Sequence, residues 1–500
     1  MTAPIHAHHD VRGIPARSLR QAALCCLLLV LHGLAGAQEY HVALSGSDGA
    51  SGASTAPWRS IGHAAGRAAA GDTVVIHAGT YLLAEQIAFA NSGSAGTPIT
   101  YRANSGDSVL IDGGTGRCLS LQFRSHLIFQ DLHFTTGSTA VGACMVYMEG
   151  TNHCQFLGCT FSDMPAENGA ENTSAVRCMQ TGGAGQSVGC IFRDNLFTDC
   201  LSPALRLYDT NGWIIENNEF VNCQQAVGGK DKPDNMLVRR NRITGGRIAF
   251  YFAAQSGCSD VTITENIVVG AEIGFQVGGL GTYGNLRDDI KLYNNTFYEC
   301  SHLITGWDDA FTRRQSYHSN IFLGVTAKNI PAGADTAGRF VNLDKYGSVA
   351  VDPAYYTMDW NCLRVPAGDT SLRFVDAHVR AQTIAAWSAA HPPFEAHSIA
   401  DDPQFVDAAA GDFRLQAGSP CRGAGRYGQD MGAYPRGSDA TVIGRRAGGG
   451  PSPPPAGTAG GGGSDQDASS SAGGCGAGGL AGMGLLVAAL AGLRRSRTRD

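Results

Sequence analysis

Short runs in which apolar and polar residues alternate recur through the middle of this chain. Trp213-Ile-Ile-Glu216 and Val261-Thr-Ile-Thr-Glu265 are examples. A two-residue period places one set of side chains on each face of a β-strand, so each run predicts a short strand with one buried face. A second pattern rides on the first. Asn195-Leu-Phe197, Asn218-Glu-Phe220, Asn241-Arg-Ile243, Asn266-Ile-Val268, Asn295-Thr-Phe297 and Asn320-Ile-Phe322 each read Asn, any residue, large apolar residue. From one Asn to the next the spacings are 23, 23, 25, 29 and 25 residues. A period of that size, filled with strands and Gly/Asn turns, predicts a solenoid that adds one coil per repeat. The asparagines are expected to stack at a tight corner, each amide bonding the next, because Asn tolerates the left-handed conformation such a corner needs.

The segment before the repeats reads differently. Ser60 is a good N-cap, and Ile61, Ala64, Ala65, Ala68 and Ala69 fall on one helical face before Gly71 closes it. This predicts a short N-terminal helix covering the open end of the solenoid. Strands are expected at Tyr40 to Ala43 and Thr73 to His77, and the coils start near Ile99.

The two ends have their own chemistry. Arg12, Arg17 and Arg20 precede an apolar run from Ala22 to Leu31, and Ala35-Gly36-Ala37 supplies a small-x-small cleavage site. Residues 1–37 therefore read as a secretory signal peptide. Residues 38–437 are the solenoid domain, 438–474 a Gly/Pro/Ser-rich linker, and 475–500 a membrane or sorting segment. That last segment holds Cys475, an apolar run from Leu480 to Leu493, and then Arg494, Arg495, Arg497 and Arg499. The arginines belong on the cytoplasmic side. Tether, apolar segment and terminal arginines together resemble the bacterial C-terminal sorting signals, and Gly473-Gly-Cys475 resembles the myxobacterial type. The expected location is the cell surface or outer envelope, anchored through the C-terminus.

Composition narrows the partners. A formal charge of −6 provides no basic surface for nucleic acid. Outside the two ends twelve cysteines remain, spaced about a coil apart in several cases, as at Cys200 and Cys223. Stacked neighbours at the strand spacing fit either disulfides or small buried core residues, and we favour the second.

Several motifs carry a family resemblance. Pro57-Trp58-Arg-Ser-Ile61, Gly71-Asp-Thr-Val74, Gly79-Thr-Tyr81 and Gly96-Thr-Pro-Ile-Thr-Tyr101 resemble the opening of bacterial right-handed parallel β-helix proteins of the pectate-lyase-like superfamily. Asp402-Pro-Gln-Phe-Val-Asp407, Gly411-Asp-Phe-Arg-Leu415 and Asp430-Met-Gly-Ala-Tyr434 resemble their closing segment. The resemblance implies an all-β, right-handed parallel β-helix. It does not fix an activity, because the superfamily holds lyases, hydrolases, epimerases and members without a demonstrated reaction.

Candidate chemistry follows from aligning the coils. Arg177, Arg206, Tyr208 and Lys230 are expected to point outward from successive coils, with Phe250, Tyr251 and Phe252 continuing the strip. Such a strip suits an acidic polysaccharide. The superfamily's lyases use Lys or Arg as a base beside a uronate carboxylate, often neutralised by calcium. That implies Lys230 and Arg206 as catalytic residues, Arg177, Tyr208 and Tyr251 as substrate-binding residues, and Asp209 and Asp231 as calcium ligands. The chain lacks the compact run of acids that calcium-dependent relatives show. His302, Trp307, Asp308 and Asp309 form a second polar group expected on a long connection. The leading function is recognition of an acidic polysaccharide by a monomeric surface protein, with lyase cleavage as a further step. The alternative is a non-enzymatic surface protein that binds envelope glycans or a partner protein.

Overall fold

A computed structural model describes residues 36–435 and 443–444, except 141, 167–172, 180–184, 253–257, 279–288, 308–314, 324–338, 343–355, 365–373, 377–378 and 382. Residues 1–35 of the expected signal peptide and the C-terminal segment, residues 475–500, lie outside the described residues, as does most of the linker. No helix among the described residues is long and apolar enough to cross a membrane.

Each coil contributes one short strand to each of three long sheets. Among the described residues these hold 12, 12 and 11 strands. Sheet one runs from Glu39–Val42 to Tyr356–Asp359, sheet two from Ile87–Ala88 to Arg380–Ala381, and sheet three from Gly79–Leu82 to Cys362–Arg364. Neighbouring strands are parallel, and only the last pair of sheet two runs antiparallel. One coil shows the order: Ile191–Arg193 in sheet one, Leu196–Thr198 in sheet three, Pro203–Leu207 in sheet two. A small fourth sheet of Ser187–Val188, Thr210–Asn211 and Pro233–Asp234 then leads back to sheet one.

Inward positions stack coil upon coil. Phe134, Phe161, Phe197 and Phe220 form one aromatic column with ring centroids 5.2, 4.6 and 4.8 Å apart. Phe129, Phe156 and Phe192 form another. These distances match the strand spacing, so every ring keeps offset-stacked partners above and below it.

The expected asparagine ladder stands at the corner between sheets one and three. The Asn241 backbone N–H donates to Asn266 Oδ1 at 2.9 Å, and its Nδ2 donates to the same oxygen and to the Ile215 carbonyl. The same bonding links Asn195, Asn218, Asn241, Asn266, Asn295, Asn320 and Asn361. Its conformational basis differs from the expectation. The left-handed residue is the one before each asparagine: Asp194, Asn217, Arg240, Glu265, Asn294, Ser319 and Trp360. The asparagines themselves act through their amides, which bond backbone groups that a corner would otherwise leave unpaired in the core.

All twelve cysteines of the domain are buried thiols. Cys200, Cys223 and Cys300 follow the left-handed residues Asp199, Asn222 and Glu299 at the corner between sheets three and two. Each thiol donates weakly to a carbonyl, as Cys223 does to Phe197 at 3.6 Å. Cys159 occupies the first rung of the asparagine ladder, its N–H donating to Asn195 Oδ1. Cysteine fills corners too small for larger apolar side chains and still answers a carbonyl.

Helix α1 spans only Ile61–Ala65, capped by Ser60, and is shorter than its apolar pattern. The Asp72 carboxylate takes the Ala69 N–H at 2.8 Å and the Gln38 N–H at 2.9 Å, which turns the chain before another helical turn can form.

Candidate functional site

The outward face of sheet two gathers the candidate residues. Its register sets Tyr147, Arg177, Arg206, Gly228, Tyr251 and Gln276 in one column across successive strands. Arg177 and Arg206 are therefore coil neighbours, as expected, and Tyr251 follows after one glycine. Phe250 and Phe252 are not part of this face. They point inward and are fully buried, because they flank Tyr251 in a strand of alternating orientation.

Lys230 stands in the adjoining column. Leu207 pairs with Gly229, so the next residues, Tyr208 and Lys230, stack on each other, and Gly228 takes the place below Arg206. The Lys230 ammonium lies 5.7 Å from the centroid of the Tyr208 ring, a cation–π contact. Tyr208 is buried and Lys230 half-buried. Lys230 thus neighbours Arg206 diagonally and sits on Tyr208 directly.

The turn after these strands explains the extra residue in its sequence. Asp209 alone is left-handed in one coil, and Asp231 and Lys232 are both left-handed in the next. The Asp209 N–H donates to the Asp231 carbonyl at 2.7 Å, and Thr210 and Pro233 then resume in register. Asp209 is held above the usual carboxylate range by burial, with Lys232 opposing and Asp231 and Asp234 adding to the rise. Asp234 is already engaged, accepting from Gln186 at 3.0 Å and from the Ser259 hydroxyl at 2.8 Å. Calcium takes six to eight oxygens. Two stacked aspartates beside a lysine do not supply them, and no group of three or more His, Cys, Asp or Glu side chains among the described residues is placed to hold a metal. These residues do not fit a calcium site on their own.

The face extends further toward the N-terminus than the sequence suggests. The Arg117 guanidinium lies 4.3 Å from the centroid of the Tyr147 ring. Tyr147 Oη donates to Glu149 Oε2 at 3.2 Å, and Gln122 Nε2 donates to the same oxygen at 2.6 Å. Burial pushes the Tyr147 phenol up, with Glu149 adding to the effect. Alignment on the repeat asparagines misses these residues, because the coil of Tyr147 and Glu149 carries Leu132 where later coils carry Asn. The strand Cys144–Met148 is apolar throughout, so no alternation marks Tyr147 as its outward residue. His302 lies within a strand of sheet two, not on a connection, and Asp308 and Asp309 lie outside the described residues.

The face therefore offers three arginines and a lysine interleaved with tyrosines. Arginine forks match carboxylates, and tyrosine rings match the apolar faces of sugars.

Residues 40–188 match the family model described as Pel9A-like, right handed beta helix region. Residues 179–338 match the one described as right handed beta helix region. Together the two matches describe residues 40–338 as right-handed β-helix, the first part of it similar to Pel9A. Among curated relatives, pectate lyase PEL9 of Emericella nidulans is 42% identical over 77 residues, 15% of this chain and 19% of that protein. Protein YwoF of Bacillus subtilis is 40% identical over 79 residues, 16% of each. The chain spans less than a fifth of the length of either relative. Among solved structures, XylC with xylose has a TM-score of 0.49 at 12% identity, covering 66% of this chain and 76% of that one. Pectate lyase Pel9A has a TM-score of 0.46 at 13% identity, covering 80% and 97%.

Proposed function

We propose that this pectate-lyase-like β-helix binds an acidic polysaccharide along sheet two and cleaves it by β-elimination. The Arg177–Arg206 column beside Lys230 carries the reading. Support comes from the Pel9A-like match over residues 40–188 and from the short stretch shared with a protein named as a pectate lyase.

In the proposed reaction Arg206 and Arg177 hold the uronate carboxylate, and their charge favours the enolate that forms when the neighbouring C–H loses its proton. Lys230, in its unprotonated form, takes that proton from C5. The electron pair becomes the C4–C5 double bond, the C4–oxygen bond breaks, and the departing oxygen takes up a proton. Tyr251, two strands beyond Arg206, offers its ring to a sugar, and Tyr208, buried against Lys230, positions that lysine through the cation–π contact. No step is assigned to calcium. The envelope location expected from the two ends belongs to the same proposal, and fractionation of cells expressing the chain with and without residues 475–500 tests it.

Recognition is tested by affinity electrophoresis through gels carrying pectate, alginate or a neutral glucan. The protein is expected to be retarded by an acidic polymer and not by the neutral one. Replacing Arg177 and Arg206 together with Ala should weaken retention at least about tenfold, since each charge-assisted hydrogen bond contributes roughly 1.5–3 kcal/mol. Equal retention by neutral glucan, or retention indifferent to both arginines, would overturn the assignment of the face.

A further inference from the structure

The C-terminal end of the solenoid is built around helix α2, Ile384–Ala390, whose N-cap Thr383 accepts the Ala386 N–H at 3.1 Å. The helix is pinned by Trp387, fully buried and stacked on Phe374 at 5.3 Å. One buried side chain cannot fill the space beneath seven residues of helix. A cavity of about 540 Å³ remains between α2 and the last coils. Its floor is Phe340, Leu363 and Phe374, and Ile384 and Ala385 form one wall.

The polar groups of this cavity gather at Glu395. That side chain is 5% exposed and bonds Ser398 Oγ and Asn361 Nδ2, so it also closes the asparagine ladder. Ser388 Oγ lines the cavity as well, shielded from solvent and without a hydrogen-bond partner among the described residues. Among the described residues no basic side chain lines the space. Asp359, whose charge also acts on Glu395, is committed to His397, with Nδ1 and Oδ2 2.7 Å apart.

We infer that this cavity is a binding site for a small amphiphile with an aliphatic body and a primary ammonium head, the body lying on the phenylalanines and the head meeting Glu395. The volume is within the range of small-molecule sites, which combine apolar walls with a few polar groups. Charge selects the head. A buried carboxyl with no cation among its described neighbours gains most from a ligand that brings one, whereas an anionic head would face Glu395 unpaired. Burial pushes the Glu395 carboxyl up to about 7, so above that pH it is ionised and ready for an ammonium partner.

The cavity lies at the C-terminal end of sheet two, beyond the strands that carry Arg177, Arg206 and Tyr251, and its test is independent of polysaccharide. Octylamine, octanol and octanoate are titrated calorimetrically into the full-length protein at pH 8. Octylamine is expected to bind at least tenfold more tightly than the other two. Ala385→Trp, an exposed helix position whose new side chain would enter the cavity, is expected to abolish binding of octylamine without changing the circular dichroism spectrum. Glu395→Gln should remove the preference for the amine over the alcohol. Equal binding of the three probes to the wild-type protein would overturn the inference, as would octylamine binding that survives Ala385→Trp.

Discussion

A single asparagine of the ladder ties its own coil to the coil before it through its side chain and to the coil after it through its N–H. Asn241 Oδ1 accepts the Asn218 N–H at 2.9 Å and the Asn218 side-chain amide, while its own Nδ2 donates to the Ile215 carbonyl. It is fully buried, so no water replaces these partners. Asn241→Ala should therefore cost about 2–4 kcal/mol, the sum of at least two orphaned buried groups. A denaturant titration that leaves the midpoint unchanged would show that the ladder does not hold the corner. The recurrence of Asn made this column legible in the sequence. The left-handed residue before it was not, because Asp, Asn, Arg, Glu, Ser and Trp all occupy it. At that position the backbone turn is shared and the side chain is free to vary, so no residue type marks it. Lys230 was legible by the same route: aligning Ala204–Asp209 with Ala226–Asp231 sets it opposite Tyr208, two residues along from the arginine column, as the strand register has it.

Among the elements, strands were easier to foresee than helices. Alternation marks a strand wherever one face is buried. The short helices depend on local bonding: beyond α1 the Asp72 carboxylate takes the Ala69 N–H that a longer helix would have used, and α2 carries only Thr383 and Trp387 as signals of its cap and its buried side. The segment that follows α2 has a measurable pH signature. Glu395 is raised from an ordinary 4.5 to about 7, chiefly by burial, with Asp359 adding to the rise and Ser398 and Asn361 opposing it. A carboxyl that holds its proton more tightly when folded stabilises the folded state most below about pH 4.5. That contribution is lost as pH rises through 7. The C-terminal end should thus become more resistant to proteolysis on acidification from pH 8 to pH 5, and Glu395→Gln should flatten that difference relative to wild type. A wild-type profile with the opposite slope would contradict the assigned ionisation.

At the scale of the whole molecule, parallel coils bring residues about a coil apart in sequence onto one face, which is how Arg177, Arg206 and Tyr251 come together from three strands. The repeat made that assembly readable. It left Arg117, Tyr147 and Glu149 unread, because the earlier coils lack the asparagine that sets the alignment. The fold itself admits many chemistries, so the reaction rests on the side chains of this face. The most direct test incubates the full-length protein with pectate, alginate and glycosaminoglycans and follows the ultraviolet absorbance of unsaturated sugar ends. Absorbance is expected to rise with at least one uronate polymer and to persist in the presence of a calcium chelator. Lys230→Ala is expected to abolish the rise while gel retention by the same polymer is kept. Binding without any unsaturated product, or product that forms equally well without Lys230, would contradict the proposed elimination.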